Sequence, residues 1–146
     1  MKKLVARNPL FFAFLFPALV DGIFTLVGQD ASFWSGGKVN EASPAYYVLL
    51  ISPWLFVIGS IVWLAFWYWV FKKIKEPINL FLTILFITGH AWGSASWIWK
   101  VMRDNGVYTP ENQISVISIW SIVVIYFVII ALSASYSLRI YFRGER

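Results

Sequence analysis

The sequence lacks cysteine and contains a single histidine, His90. The absence of cysteine excludes disulfides, iron–sulfur clusters, thiolate metal sites and a cysteine nucleophile, and it leaves the redox compartment undefined. One histidine does not supply both axial ligands of a haem within one chain. A metal site would have to use Asp21, His90 and Glu41, and this is a poor ligand set for zinc. We therefore expect no metal and no cofactor.

Charged residues are also scarce, at 13% of the chain against 60% hydrophobic residues. A soluble domain of 146 residues needs a larger polar shell to cover its core. Here, apolar runs of about eighteen or more residues recur with few charges inside them, which is the pattern of membrane-spanning helices. The sequence predicts an all-α fold, a four-transmembrane-helix bundle that forms one membrane domain over residues 1–146.

The apolar runs define the expected helices and loops. The predicted helices cover about 10–28, 45–71, 78–99 and 113–138. The predicted outer loops are 29–44 and 100–112. A secretory signal peptide is the alternative for the first run, because basic residues precede it. That run is long for a signal peptide, contains Pro17 and Asp21, and is not followed by an A-x-A cleavage site, so four helices are favoured.

The distribution of basic residues predicts the orientation. One side of the predicted bundle has nine of them: Lys2, Lys3, Arg7, Lys72, Lys73, Lys75, Arg139, Arg143 and Arg146. The other side has three: Lys38, Lys100 and Arg103. The positive-inside rule then places both termini in the cytoplasm, in an N-in/C-in topology. Because topology accounts for the net charge of +5, we expect no nucleic-acid partner.

Two ionisable residues inside the predicted helices are the main candidates for a site. A carboxylate within a spanning helix costs several kcal/mol unless it is paired, protonated or hydrated. At about 1.5 Å per residue, Asp21 lies about 16 Å from the cytoplasmic start of its helix and His90 about 18 Å from the start of its own. Both helices run in the same direction, so the two residues are at nearly equal depth. We expect them to form a pair that titrates or orients a ligand.

Further polar residues extend this predicted site in the outer half of the bundle. Its candidate ligand or proton-site residues are Asp21, Thr25, His90, Ser94, Ser118, Asn40 and Glu41. Ser115, Ser118 and Ser121 recur every third residue and could line a cavity, although helix packing is the commoner role of such serines. Gly89 and Gly93 have the small-xxx-small spacing that lets helices approach closely. Trp97 and Trp99 are expected in an interfacial aromatic belt.

A set of short motifs resembles small four-helix bacterial integral membrane proteins of unknown function. The residues that carry the resemblance are Asp21-Gly22, Thr25, Gly28-Gln29, Asn40-Glu41, Pro44, His90 and Trp92-Gly93. It covers most of the chain and implies topology and a bacterial inner-membrane location, with no activity. The layout also resembles sterol-isomerase-like and sigma-2-like domains, which bind apolar ligands among four helices. The second helix here lacks the acidic residue that those domains use.

Three functions are compatible with these residues. The favoured hypothesis is a protein that binds or transports a small amphiphilic or lipid-like ligand. A proton-coupled carrier is a variant of it, as a homodimer because four short helices make a narrow bundle. The second is a membrane enzyme in which His90 acts as general acid or base, Asp21 orients it and Ser94 or Glu41 participates. The sequence contains neither G-x-S-x-G nor H-E-x-x-H to support it. The third is an accessory subunit of a membrane complex, whose polar residues only hold helices together.

Overall fold

The computed structural model describes residues 2–144, so Arg146, one of the basic residues counted above, lies outside the described residues. The described chain consists of helices, turns and loops. Its α-helices are α1 (Lys2–Val5), α2 (Pro9–Val27), α3 (Ala45–Ile51), α4 (Pro53–Val70), α5 (Ile78–Asp104) and α6 (Gln113–Phe142). A short 3-10 helix (Ala31–Ser35) lies in the loop after α2. The predicted all-α class is confirmed for these residues.

Four of the helices, α2, α4, α5 and α6, are long and apolar enough to cross a membrane. This confirms the four apolar helices expected from the sequence. With 27 and 30 residues, α5 and α6 are about 40 and 45 Å long at 1.5 Å per residue. Both exceed the roughly 30 Å of a bilayer's hydrocarbon core, which leaves room for polar residues at their ends.

The helix boundaries differ from the predicted ones in three places. The predicted helix 45–71 is interrupted at Ser52, whose backbone is extended. The Ser52 hydroxyl accepts a hydrogen bond from the Trp54 amide and so caps α4, and Pro53 supplies no amide donor to continue α3. In addition, α5 continues to Asp104 instead of ending near 99, and α6 continues to Phe142 instead of 138.

Hydrogen bonds between the ends of helices show that the long helices alternate in direction. The Asn8 side chain donates to the carbonyl of Tyr68 at 2.7 Å, so the start of α2 meets the end of α4. The side chain of Asn79 donates to the Tyr141 hydroxyl at 3.4 Å, which joins the start of α5 to the end of α6. We call this side, which includes residues 71–77, the basic end. The opposite side, with residues 28–52 and 105–112, is the loop end.

The central helix of the fold is α2, which packs most extensively against α5 and α6. One apolar cluster joins α5 and α6 through residues such as Ala95, Ile119 and Val123, with Phe16 and Val20 of α2 against it. A second cluster surrounds Phe14 near the basic end. The two clusters fix α2, α5 and α6 as a three-helix body.

The remaining long helix, α4, lies at the edge of this body. None of its residues is buried. Its contribution to the second cluster comes from Trp63, Leu64, Trp67 and Tyr68, all in its basic-end half. Residues 53–62 contribute to neither cluster. The half of α4 nearer the loop end therefore adds nothing to the two clusters, although one face of it, with Phe56, Val57 and Ser60, is half-buried.

Candidate functional site

The structure brings Asp21 and His90 together in a side-chain hydrogen bond. Nδ1 of His90 lies 2.8 Å from Oδ2 of Asp21. Each residue is twelve positions after the first residue of its helix, Pro9 for α2 and Ile78 for α5. Because both helices start at the basic end and rise equally per residue, the two side chains reach the same level. This pair is the centre of the candidate site.

Gly93 makes room for the carboxylate. A β-carbon added to Gly93 would be 2.6 Å from Oδ1 and 2.9 Å from Oδ2 of Asp21, which is closer than such atoms approach in proteins. The Asp21 carboxylate therefore occupies the space that any larger residue at 93 would need. Gly93 was expected to serve helix packing, and the structure gives it a more specific neighbour, since it faces the acidic member of the pair.

The pair is only partly buried. The side chains of His90 and Asp21 are 25% and 21% exposed. Nδ1 of His90 is used by Asp21, while Nε2 has no hydrogen-bond partner among residues 2–144. Every buried side-chain nitrogen or oxygen of the described residues has a partner, so Nε2 reaches the protein surface. One side of the imidazole is thus fixed by the protein and the other is open to a ligand.

Aromatic rings pack beside the imidazole. The ring centroid of His90 is 5.4 Å from that of Trp63, with an interplanar angle of 79°. Phe86, one turn before His90, is 6.4 Å away, and its ring is also 5.5 Å from that of Trp63. The Trp63–His90 contact is edge-to-face and the two contacts of Phe86 are tilted, and such offset ring contacts are the favoured arrangements of aromatic pairs. Among the residues of α4 that pack on the second cluster, Trp63 is the nearest to the loop end, and it is the one beside His90.

Ser94 does not extend the site in the way expected. It is fully buried, and its hydroxyl donates to the backbone carbonyl of His90 at 2.5 Å. Its Oγ is also 2.5 Å from the hydroxyl oxygen of Tyr126 on α6. Both contacts are internal to the fold, since one is to its own helix and the other joins α5 to α6. Ser94 holds two helices together and leaves no free hydroxyl at the surface beside His90.

The other candidates near the loop end are used in local structure. Thr25 is buried, and its carbonyl accepts a hydrogen bond from the side chain of Gln29 at 2.8 Å. Gln29 also forms two hydrogen bonds with the backbone of Asn40, one to its carbonyl at 3.1 Å and one from its amide at 2.8 Å. The Glu41 carboxylate accepts from the amide of Ser43 at 2.7 Å. Asn40 therefore acts through its backbone, and Glu41 stabilises a turn.

The serines of α6 point in different directions and do not line one cavity. Ser118 and Ser121 are exposed, and each hydroxyl donates to the carbonyl four residues earlier in its own helix. Ser115 is buried and donates to the carbonyl of Thr109 in the preceding loop at 2.7 Å. An open depression of about 480 Å³ includes Ser121, and its lining comes from α6 alone. Ser118 thus lies on an outward face, apart from the Asp21–His90 pair.

Gly89 and Trp97 also differ from expectation. A β-carbon on Gly89 would have no neighbour within 4 Å, so Gly89 makes no close helix contact. Trp97 was expected in the interfacial belt but is buried. Its ring covers Gly28, where an added β-carbon would be 2.4 Å from Cε3 of Trp97. The close approach of α2 and α5 is therefore made at Gly93 and Gly28.

Sequence reasoning missed two residues of the site, Trp63 and Phe86, and also Tyr126, the partner of Ser94. Phe86 precedes His90 by four residues, and this spacing on a helix places the two side chains on one face. That signal was available in the sequence. Trp63 and Tyr126 come from other helices, and no spacing rule connects them to His90 or Ser94.

Comparisons with known proteins identify no relative: no protein-family model, no curated protein and no solved structure matches the chain. The class defined by the fold is an all-helical chain with four helices long and apolar enough to cross a membrane. Its distinguishing feature is a partly exposed Asp–His pair between two of them. Within residues 2–144, no group of three or more carboxylate, imidazole or thiolate side chains could hold a metal ion.

Proposed function

We propose that this chain is a multi-pass protein of the bacterial inner membrane that binds or transports a small amphiphilic or lipid-like ligand at Asp21 and His90. The observation that carries the proposal is the 2.8 Å hydrogen bond between the two side chains, with Nε2 of His90 left at the surface. Ionisable residues at this depth are costly in a membrane and are functional by default. Both termini and the basic end face the cytoplasm, so the pair lies in the outer half of the bilayer.

The surface of the long helices supports a membrane location. Large apolar side chains are exposed on all four, for example Ile23, Trp54, Trp92 and Ile114, the last three at 75 to 76%. Soluble monomers rarely expose contiguous apolar surface on this scale. A bilayer covers such side chains and favours their exposure. An amphiphilic ligand in the same bilayer reaches the Asp21–His90 pair sideways, from between the lipids.

The partial exposure of the pair favours ligand binding over a purely structural role. A hydrogen bond that only joins helices is best protected when it is fully buried, because water and lipid head groups then do not compete for it. Ser94 and Tyr126 show this arrangement, whereas Asp21 and His90 keep about a fifth to a quarter of their side-chain surface open. The rings of Trp63 and Phe86 beside His90 give an apolar molecule a surface to contact.

An enzyme is the second candidate, because Asp21 orients the imidazole as the partner of a general base does. Its expected participants are engaged elsewhere, since Ser94 is buried against Tyr126 and Glu41 bonds to Ser43. The pair thus has a base without a neighbouring nucleophile, and binding is the better-supported function. The unburied surface of α4 does not specifically favour the accessory-subunit hypothesis. Lipid covers an apolar helix equally well as a protein partner.

Photo-crosslinking tests the proposal. The protein is reconstituted in phosphatidylcholine nanodiscs, with trace amounts of two hexadecyl probes that carry a diazirine in the chain and either a hydroxyl or a carboxylate head group. Labelled peptides are then mapped by mass spectrometry. We expect at least one probe to label residues 53–63 and 86–93 several-fold more than the rest of the helical surface. Asp21→Asn and His90→Gln should reduce this local labelling.

Thr88→Val is the matched control. Thr88 is exposed on α5, the helix of His90, and its hydroxyl donates to the carbonyl of Ile84. Removing this hydroxyl therefore removes no contact to another helix. It should leave the labelling pattern unchanged. Uniform labelling of all four helices by both probes, unaffected by Asp21→Asn and His90→Gln, would show that the pair is not a ligand site.

A further inference from the structure

The charge of the Asp21–His90 site depends on these two side chains alone. No Asp, Glu, Lys, Arg or His occurs within α4, from Pro53 to Val70. The next basic residue along α5 is Lys100, ten positions after His90 and so about 15 Å away along the axis. Its ammonium group is already paired, at 2.7 Å from Asp30 and 2.5 Å from Asp104. Since α2 and α6 also carry no basic residue at this level, none of residues 2–144 places a free cation beside the pair to bind a phosphate or carboxylate head group.

A charged head group has a large desolvation cost in an apolar environment unless an opposite charge compensates it. Asp21 and His90 are already hydrogen-bonded to each other, so neither offers a free counter-charge. A ligand with a charged head group would bring an uncompensated charge into this environment. A neutral head group avoids that cost.

Nε2 of His90 determines whether the head group must donate or accept a hydrogen bond. When the imidazole is protonated, or when Nδ1 accepts the proton of the Asp21 carboxylic acid, Nε2 carries a hydrogen and donates. When Nδ1–H donates to an ionised Asp21, Nε2 accepts. A hydroxyl both donates and accepts, so it satisfies Nε2 in every state. A carbonyl oxygen can only accept, so it satisfies Nε2 in the states in which Nε2 donates.

We propose that the ligand is an uncharged amphiphile whose hydroxyl or carbonyl group binds Nε2 of His90 while its apolar body lies against Trp63 and the loop-end half of α4. This inference rests on the proposed function and adds the chemical class of the ligand. The apolar contact is provided by Trp63 and by residues 53–62, which are unburied and belong to neither apolar cluster. A phospholipid does not meet the head-group requirement, because no cation among the described residues lies beside the pair to bind its phosphate.

A series of ligands with one tail and five head groups tests the class. Hexadecanol, a hexadecyl methyl ketone, hexadecanoate, hexadecylamine and hexadecyl phosphate are titrated onto the protein in phosphatidylcholine nanodiscs, and occupancy is read by native mass spectrometry. We expect the alcohol and the ketone to reach half occupancy at concentrations about tenfold lower than the three charged molecules, the ratio that one additional satisfied hydrogen bond provides. The unaltered chain suffices for this ranking.

His90→Gln supplies a second measurement, because it leaves Asp21 as the only ionisable group of the site. Binding of the alcohol should weaken, and the preference should move towards hexadecylamine, whose ammonium compensates the carboxylate. Thr88→Val should keep the ranking of the unaltered chain. A preference of the unaltered chain for hexadecanoate or hexadecyl phosphate would overturn the neutral class and leave the proposed function in place. Equal, unsaturable uptake of all five, unchanged by His90→Gln, would overturn both.

Discussion

The carboxylate of Asp21 lies against the backbone of Gly93, so close that a methyl group on Gly93 would be 2.6 Å from Oδ1. The hydrogen bond between Asp21 and His90 therefore depends on a third residue that contributes no atom to it. Gly93 is one turn after Gly89 on α5, yet only at Gly93 would an added β-carbon meet a neighbouring residue. This difference between two otherwise similar glycines gives a direct test of the site geometry.

Gly93→Ala should destabilise the protein and separate Asp21 from His90. The added methyl group overlaps the carboxylate, and overpacking of this kind costs about 1–3 kcal/mol. The measurement is thermal unfolding in detergent, followed by the far-ultraviolet circular dichroism of the helices. The control is Gly89→Ala, whose methyl group meets nothing within 4 Å and should leave the unfolding temperature unchanged or slightly raised.

A double variant shows whether the carboxylate is the group displaced. Asp21→Ala removes the atoms that the new methyl group would meet, so Asp21→Ala with Gly93→Ala should lose less stability than the sum of the two single changes. Strict additivity of the two losses would contradict the contact.

Gln29→Ala should release the loop that follows α2. Its side chain makes two hydrogen bonds with the backbone of Asn40 and one with the carbonyl of Thr25, and it is 6% exposed. Loss of these bonds should speed hydrogen–deuterium exchange of the Asn40 amide by about tenfold or more, if the lost protection is about 1.5 kcal/mol.

Asn40→Ala is the matched control for this experiment. Asn40 takes part through its amide and carbonyl, both of which alanine retains. The exchange rates of residues 38–42 should therefore follow the unaltered protein. If Asn40→Ala accelerates exchange as much as Gln29→Ala does, the loop is held by something other than the Gln29 side chain.

Tyr126→Phe should weaken the connection between α5 and α6 by about 1 kcal/mol, the typical value of one hydrogen bond between helices in a membrane. The loss is moderate because Ser94 keeps its bond to the His90 carbonyl. The measurement is the free energy of unfolding in mixed micelles. Ser94→Ala and Tyr126→Phe together should cost less than the sum of the two single changes, because both remove the same interhelical hydrogen bond. Strict additivity of the two losses would argue against a shared bond.

The absence of cysteine makes the orientation testable with single substitutions. Ser35→Cys lies in the loop-end segment and Lys73→Cys at the basic end, and both positions are exposed. With both termini in the cytoplasm, a membrane-impermeant maleimide added to intact cells should label Ser35→Cys, whereas Lys73→Cys should react only after the membrane is permeabilised. The reverse pattern would invert the topology and place the Asp21–His90 pair in the cytoplasmic half.

The predicted helices were accurate in number and less accurate at their ends. Apolar runs indicate how much chain avoids water, and this sufficed for α2, α4, α5 and α6. Hydropathy does not register the break at Ser52, because an extended serine followed by proline lies within a continuously apolar run. The extension of α5 to Asp104 adds a polar segment that hydropathy does not mark as helix, and Lys100 near it pairs with Asp30 from another part of the chain.

For the candidate site too, local geometry predicted some features, and others depended on tertiary structure. Counting residues placed Asp21 and His90 at one depth, because the rise per residue is the same in every α-helix. The serines were assigned by spacing, which does not tell whether a residue faces a neighbour or the surroundings. Ser115 and Ser118 are one turn apart, yet one is buried and the other is exposed.

The sequence by itself determined the all-helical class, the four long apolar helices and the common level of Asp21 and His90, since each follows from hydropathy and the fixed geometry of the helix. Tertiary structure decided which faces meet. Gly93 of α5 lies against α2, and Gly28 at the end of α2 lies against α5. Ser94 contacts Tyr126, and Trp63 lies beside His90. The physical reason is that these helices are apolar on almost every side, so the pattern of hydrophobic residues marks no inner face. Their rotation is set by close packing and by a few interhelical hydrogen bonds.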